Sequence, residues 1–208
     1  MELENAIRSR HMVRAFDDRP IEESHLTQLL DDARQAPSAG NTAATEFVVL
    51  TGEARQEYWN VTLPEERRAG FTFPTLPDAG ALVLVLTRPE AYPERYSEID
   101  KFRTGLGAAT DLWPVPFWWV DAGAVIQNLL LLAHDRGLGA LLFGAFSNEP
   151  AVKAGLGIPP DRRLVGVVAL GHPASDAGRA GRSASRPRPR IETITHYQRW
   201  NPIDQARR

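Results

Sequence analysis

The chain has 208 residues and a formal net charge of −2, and 43% of its residues are hydrophobic and 24% charged. These values are typical of a single globular domain and exclude a disordered or fibrous chain. Cysteine is absent, which excludes disulfides, thiol catalysis, iron–sulfur clusters and Cys-based zinc sites. The near-neutral charge argues against a dedicated nucleic-acid-binding protein.

Hydrophobic periodicity predicts an alternation of helices and strands without a regular strand–helix–strand repeat. The helix over residues 120–136 is apolar nearly all round and is expected to be the central buried one. The Pro-rich segment between the first two strands is expected to be helical only in its first half. The predicted elements, in chain order, are helices over 2–10 and 22–36, strands over 47–50 and 81–86, helices over 97–109 and 120–136, a strand over 140–146, a short helix that begins at 147–150 and ends at Gly155 or Gly157, and a strand over 164–170.

Targeting segments and familiar catalytic motifs are not found in the sequence. The charged first residues lack the apolar region of a signal peptide, and the apolar stretch 122–133 is too short to span a bilayer, so we expect a cytoplasmic protein. Its three Gly-Leu-Gly triplets lack the third glycine of a dinucleotide fingerprint, and no Gly-Lys pair forms a phosphate loop. The five histidines are scattered without metal-ligand spacing, so no metal site is predicted.

Two segments near the N-terminus suit an anionic ligand. Residues 8–16 hold three arginines and a histidine, and guanidinium groups match phosphate oxygens in pairs; the alternative is a solvated basic turn with Phe16 as a core anchor. Residues 36–41 read Ala-Pro-Ser-Ala-Gly-Asn, and the hydroxyl, amide and backbone N–H groups of such a loop suit a phosphate or ribityl chain. A plain helix stop is the alternative there.

Two later segments are also candidates for a ligand site. Residues 113–119 hold four aromatic side chains, which either wall a pocket for a flat ring or belong to the core or an oligomer interface. Gly144 lies near the end of the strand predicted over 140–146, and a glycine at a strand end lets the backbone approach a ligand closely. The arginine-rich segment 177–191 either closes on a phosphate or is a disordered basic arm.

The order and spacing of these segments resemble the FMN-dependent nitroreductase family over essentially the whole chain. The resemblance implies an α+β fold in which helices flank a central, mainly antiparallel sheet, one domain over 1–208 with an extended arm over 173–208, and an intertwined homodimer with FMN at its interface. The matching segments are Arg10–Phe16, Ala36–Asn41, the apolar helix with its glycine pair at 121–139, Leu170-Gly171-His172-Pro173, and the basic and aromatic tail at 186–200.

The resemblance also implies the site residues. No protein group would be catalytic, because the chemistry takes place on the flavin nitrogen N5. Arg14 would lie near the pyrimidine edge of the flavin, the loop at 37–41 would reach the cofactor of the other subunit, and the two late arginines would complete the phosphate clamp. The implied cofactor contacts are Arg10, His11, Met12, Arg14, Pro37, Ser38, Ala39, Asn41, Phe143, Gly144, Arg188 and Arg190, and the substrate wall is expected from Trp113, Phe117, Trp118 and Trp119.

The implied activity is hydride transfer from NAD(P)H through FMN to an electron-poor acceptor such as a nitroaromatic or a quinone, in a ping-pong sequence. The sequence departs from the family at Phe143, where many relatives carry an acid, and at Met12, where they carry a serine. The alternatives are a flavin-dependent oxidase, desaturase or dehalogenase, a flavin-destroying synthase, and a flavin-storing protein without catalysis. A deazaflavin substrate and a regulatory or nucleic-acid-binding module that uses the arginine tail are further alternatives.

Overall fold

A computed structural model describes residues 1–175 and 185–200. The predicted α+β class is confirmed: helices cover both faces of a four-stranded sheet. The elements are α1 (Leu3–Ser9), α2 (Glu23–Ala33), β1 (Thr45–Leu50), α3 (Gly52–Thr62), α4 (Glu65–Arg68), β2 (Ala81–Thr87), α5 (Ala91–Tyr96), α6 (Phe117–Asp135), β3 (Gly139–Phe143), α7 (Glu149–Gly155) and β4 (Arg163–Gly171).

The sheet has the order β1-β2-β4-β3, and each neighbouring pair is antiparallel. The segment over residues 10–17 is joined to β3 and to the residues that follow β4. In this segment the Val13 N–H donates to the Ala140 carbonyl at 2.9 Å, and Phe16 forms an isolated bridge with Pro173. The basic block that the sequence selects is therefore fixed to the sheet by backbone hydrogen bonds.

The uniformly apolar run of β2 is buried on both faces, as its composition predicts. Alternate residues point to opposite sides because a strand has a period of two. Leu82 and Leu84 belong to a cluster with α3 and α7, whereas Val83 and Val85 belong to a cluster with α2 and α6. The cavity described below lies on the α3 and α7 side.

The prediction of a helix over 97–109 is wrong. The helix of this region is α5, which lies earlier, and Pro93 is accommodated in its first turn, where the missing N–H costs no hydrogen bond. The chain then turns back, because Gly105 adopts a left-handed φ of 74° and Gly107 lies so close to Ser97 that a Cβ would be 2.6 Å from its Oγ. Only Phe102–Thr104 within the expected range forms a turn of 3-10 helix.

Other expected boundaries also shift. The strand expected to reach Phe146 ends at Phe143, because the chain turns there and Phe146 itself has a positive φ of 47°. The central helix begins at Phe117, three residues earlier than expected, directly after Pro116. The first half of the Pro-rich segment forms α3, as expected.

The basic tail is described only in part. Its arginines Arg179 and Arg182 lie outside the described residues. In the described part, Ile191–Thr193 forms one turn of 3-10 helix, and the large side chains of Tyr197 and Trp200 are exposed. No helix in the described ranges is long and apolar enough to cross a membrane.

Candidate functional site

A cavity of about 440 Å³ opens where β3 ends. Three of the predicted cofactor residues, Arg14, Phe143 and Gly144, meet in its wall. The full lining is Arg14, Tyr58, Trp59, Thr62, Leu63, Phe71, Phe73, Leu76 and residues 141–148. Arg14 is the one charged side chain in that lining, so the cavity suits a flat ligand that carries or develops negative charge.

Arg14 is held against the cavity wall by its own segment. Its Nη1 donates to the Met12 carbonyl at 3.2 Å, and its guanidinium carbon lies 5.6 Å from the centre of the Phe73 ring. Elsewhere in the lining, the Phe143 ring stacks on Trp59 with 5.8 Å between ring centres and 14° between planes. The cavity therefore combines one cation with flat aromatic walls.

Arg10 carries a buried nitrogen without a partner. Its Nη1 is screened from solvent and has no hydrogen-bond partner among the described residues. A buried charged donor left unpaired costs free energy, so a position of this kind fits a bound anion. His11, next in the chain, is exposed, with its Nδ1 3.3 Å from the Ser9 carbonyl, and Met12 packs its side chain against both hydrophobic clusters.

The loop over residues 37–43 lies beside the N-terminal half of α6. The Ala39 N–H donates to Asp121 Oδ2 at 2.8 Å, and Arg95 Nε donates to the Gly40 carbonyl at 2.9 Å. Ser38 uses its Oγ to accept the Ala43 N–H at 3.0 Å. Pro37 and Asn41 are exposed. The loop is not part of the cavity lining of its own chain, and its contact with the cofactor of another subunit stays a prediction.

The four aromatic residues expected at the substrate wall lie apart from the cavity lining. Trp113 is buried and donates from its Nε1 to the Leu106 carbonyl at 3.1 Å. Trp118 is half-buried, and its ring lies edge-on to Tyr92. Phe117 and Trp119 are exposed at the start of α6. Trp113 is therefore part of the packed interior, and the role of these residues at a substrate stays a prediction.

The two late arginines are both exposed. Arg190 Nε lies 3.4 Å from a carboxylate oxygen of Glu192. Neither Arg188 nor Arg190 is part of the cavity wall formed by the described residues. Their contact with a phosphate stays a prediction.

The sequence analysis did not identify the aromatic residues that α3 and the segment after it contribute to the cavity, nor the carboxylate that holds the loop over 37–43. Trp59, Phe71 and Phe73 come from the Pro-rich segment, where the alternation Phe-Thr-Phe was the available signal. Asp121 is a carboxylate inside an otherwise apolar helix, which is the kind of residue that usually holds something. It also accepts the Tyr92 hydroxyl at 2.8 Å, and burial together with this bond raises the pKa of Tyr92.

Together, the fold and the cavity define an α+β protein with a cavity lined by one cation and several aromatic rings at the end of a strand of an antiparallel sheet. The family model described as Nitroreductase family matches residues 7–172. The chain belongs to the nitroreductase family, which confirms the family predicted from the sequence and its class, an oxidoreductase. The match ends where the expected arm begins.

Similar proteins cover most of the chain. A 4-nitrobenzoate reductase of Pseudomonas putida is 27% identical, over 92% of this chain and 93% of the relative. An NADPH-dependent oxidoreductase of Staphylococcus saprophyticus is 23% identical, over 98% and 76%. A solved structure of a protein from Exiguobacterium sibiricum in complex with FMN has a TM-score of 0.70 at 20% identity, over 95% of this chain and 98% of the other.

Proposed function

We propose that the chain is an FMN-dependent oxidoreductase that takes hydride from NADH or NADPH and passes it to an electron-poor acceptor such as a nitroaromatic or a quinone. The observation that carries the proposal is the buried, unpartnered Nη1 of Arg10, four residues before the cationic wall of an aromatic cavity. One segment thus offers a site for an anion and a site for a flat ring. The relatives' names and the FMN complex of a similar fold support this assignment.

The basic segment fits the two ends of FMN. Arg10 would bind the phosphate, because its unpaired donor would gain a charge-assisted hydrogen bond there. Met12 and Val13 keep the segment extended along the sheet, so that Arg10 and Arg14 stay at a fixed separation. His11, Arg188 and Arg190 are proposed as further polar contacts of the phosphate and the ribityl chain.

FMN, when bound, supplies a ring that accepts and donates hydride. Arg14 would place positive charge where the reduced ring gathers negative charge, which stabilises that state. Gly144 has no side chain, so its backbone would lie open beside the flavin ring. A Cβ at this position would also lie 3.0 Å from the Phe146 ring. The walls formed by Trp59, Phe73 and Phe143 would exclude water, so hydride is not lost to solvent reactions.

The proposed active form is a homodimer with the cofactor at the subunit interface. Trp119 and Val120 expose apolar surface at the start of α6, next to the loop that carries Asn41. Tyr197 and Trp200 expose large aromatic side chains on the tail. Exposed large side chains of this kind favour burial against a second copy, and the loop would then lie beside the partner's cavity.

The test is a visible absorption spectrum of the purified protein, recorded before and after anaerobic NADPH. Flavin bands that bleach on addition, and return when a nitroaromatic or quinone is added, are the expected result. Flavin bands that persist in NADPH and NADH would point instead to an oxidase or a storage protein. A protein that stays colourless after incubation with FMN would overturn the proposal.

A further inference from the structure

The loop that carries Asn41 is held in a costly backbone conformation. Gly40, Asn41 and Ala43 have positive φ angles of 63°, 56° and 49°. Residues other than glycine rarely adopt this region of backbone space, and they keep it only where surrounding contacts determine it. The loop must therefore be fixed from outside.

Three contacts fix this loop, and the central one is a buried carboxylate. Asp121 is 6% exposed, and its Oδ2 accepts both the Ala39 N–H and the Tyr92 hydroxyl at 2.8 Å. Arg95 Nε donates to the Gly40 carbonyl at 2.9 Å. The Tyr96 ring lies directly over Gly40, where a Cβ would be 2.6 Å from its Cε2.

The charge of Asp121 is not explained by packing. Its neighbours on the buried face of α6, Ala122 and Val125, are apolar, and an apolar residue would continue that face. No cation of the described residues lies within ion-pair distance of Asp121. Burying a carboxylate without a cation costs free energy. We therefore infer that Asp121 serves to fix the position of the Ala39 amide.

We propose that Asp121, with Tyr92 behind it, is a positioning residue that sets the Ser38–Asn41 loop in the conformation that binds the cofactor of the partner subunit. This inference rests on the proposed function. Asp121 does not touch the cofactor: it acts through the Ala39 amide, and Tyr92 fixes the carboxylate by the second hydrogen bond to the same oxygen. The exposed amide of Asn41 is then presented at a constant angle.

The first experiment follows the loop without any cofactor. Amide hydrogen exchange of the peptide 37–44 is measured in the flavin-free full chain for the wild type and the Asp121→Ala variant. Loss of the Ala39 hydrogen bond should raise the exchange rate there about ten-fold, the effect of one hydrogen bond to a charged acceptor. Asp111→Asn, a change at an exposed carboxylate near the start of α6, is the matched control and should leave the peptide unchanged.

The second experiment measures FMN binding by quenching of flavin fluorescence and by visible circular dichroism of the bound flavin. Asp121→Ala should weaken FMN binding about ten-fold and change the dichroism, whereas Asp121→Asn, which keeps an acceptor oxygen, should restore affinity to within about three-fold. If the alanine variant does not fold, Tyr92→Phe, which removes one hydroxyl, should still weaken binding and speed exchange in the same peptide.

The outcomes separate the two proposals. Faster exchange with unchanged FMN affinity would show that Asp121 only supports the fold, and unchanged exchange would show that it does not hold the loop; either result overturns the inference and leaves the proposed function standing. A wild type that binds no FMN overturns the proposed function, and the inference falls with it.

Discussion

Gly171 lies so close to the Phe16 ring that a Cβ on the glycine would be 2.7 Å from Phe16 Cδ1. The same Cβ would lie 2.9 Å from the backbone nitrogen of Gly80, which cannot move aside. Gly139 stands in the same relation to Val13, at 2.8 Å. Two of the glycines that carry the family resemblance therefore serve packing: they let the basic segment lie flat against the sheet.

The substitution Gly171→Ala should therefore lower the free energy of unfolding by about 1–3 kcal/mol, because the added methyl overpacks a closed site. Urea unfolding followed by circular dichroism measures the change. Gly155→Ala is the control, since nothing lies within 4 Å of a Cβ there, and it should change stability by less than about 1 kcal/mol. Equal stability of the two variants would contradict the packing role of Gly171.

Arg10→Ala should weaken FMN binding by about ten-fold or more, because it removes the donor proposed for the phosphate. Riboflavin, which lacks the phosphate, should bind the variant and the wild type equally. Arg8→Ala is the matched control: Arg8 lies two residues away on the surface, 4.0 Å from Glu4. A loss of affinity that is the same for both flavins would place Arg10 away from the phosphate.

Arg14→Ala should lower the reduction potential of bound FMN by about 30 mV or more, the equivalent of a ten-fold loss for a two-electron couple. The sign follows from the charge, because a cation stabilises the negatively charged reduced ring more than the oxidised one. Arg14→Lys keeps the charge and should keep most of the potential. The reduction potentials are measured by equilibration with reference dyes. An unchanged potential in the alanine variant would show that Arg14 does not lie beside the flavin ring.

The aromatic residues at the start of α6 should separate into two classes. Trp113→Ala should cost about 3–5 kcal/mol of stability, because it empties a buried site packed against Tyr92 and Tyr96. Trp119→Ala should cost the single chain less stability than Trp113→Ala, because Trp119 is 40% exposed there, and should change the KM for a nitroaromatic acceptor. A KM that stays constant would remove Trp119 from the substrate wall.

Local patterns determined much of this fold, and long-range contacts determined the rest. The run of β2 and the apolar α6 were predictable because burial on all sides leaves a continuous apolar signal. The helix expected over 97–109 failed because the turn depends on the contact between Gly107 and Ser97, which propensity does not register. The bond from Ala39 to Asp121 joins residues 82 positions apart, so neither loop nor helix alone indicates it.

Stability should fall on the alkaline side because of a buried tyrosine. Burial raises the pKa of Tyr58 to about 12 from its ordinary value of 10.0. Above about pH 10 the unfolded chain loses this proton while the folded chain keeps it, so the free energy of unfolding declines as pH rises through about 12. The pKa of Tyr92 is raised too, and acts in the same direction.

Tyr58→Phe should make this decline shallower by about 2 kcal/mol between about pH 9 and pH 11.5, because phenylalanine has no proton to lose. Urea unfolding at several pH values measures the slope. Tyr197→Phe is the control, since Tyr197 is 81% exposed, and the slope of this variant should match the wild type. If the stability of Tyr58→Phe instead declines with pH as steeply as that of the wild type, the wild-type Tyr58 hydroxyl ionises as readily in the folded chain as in the unfolded one. The decline then has another origin.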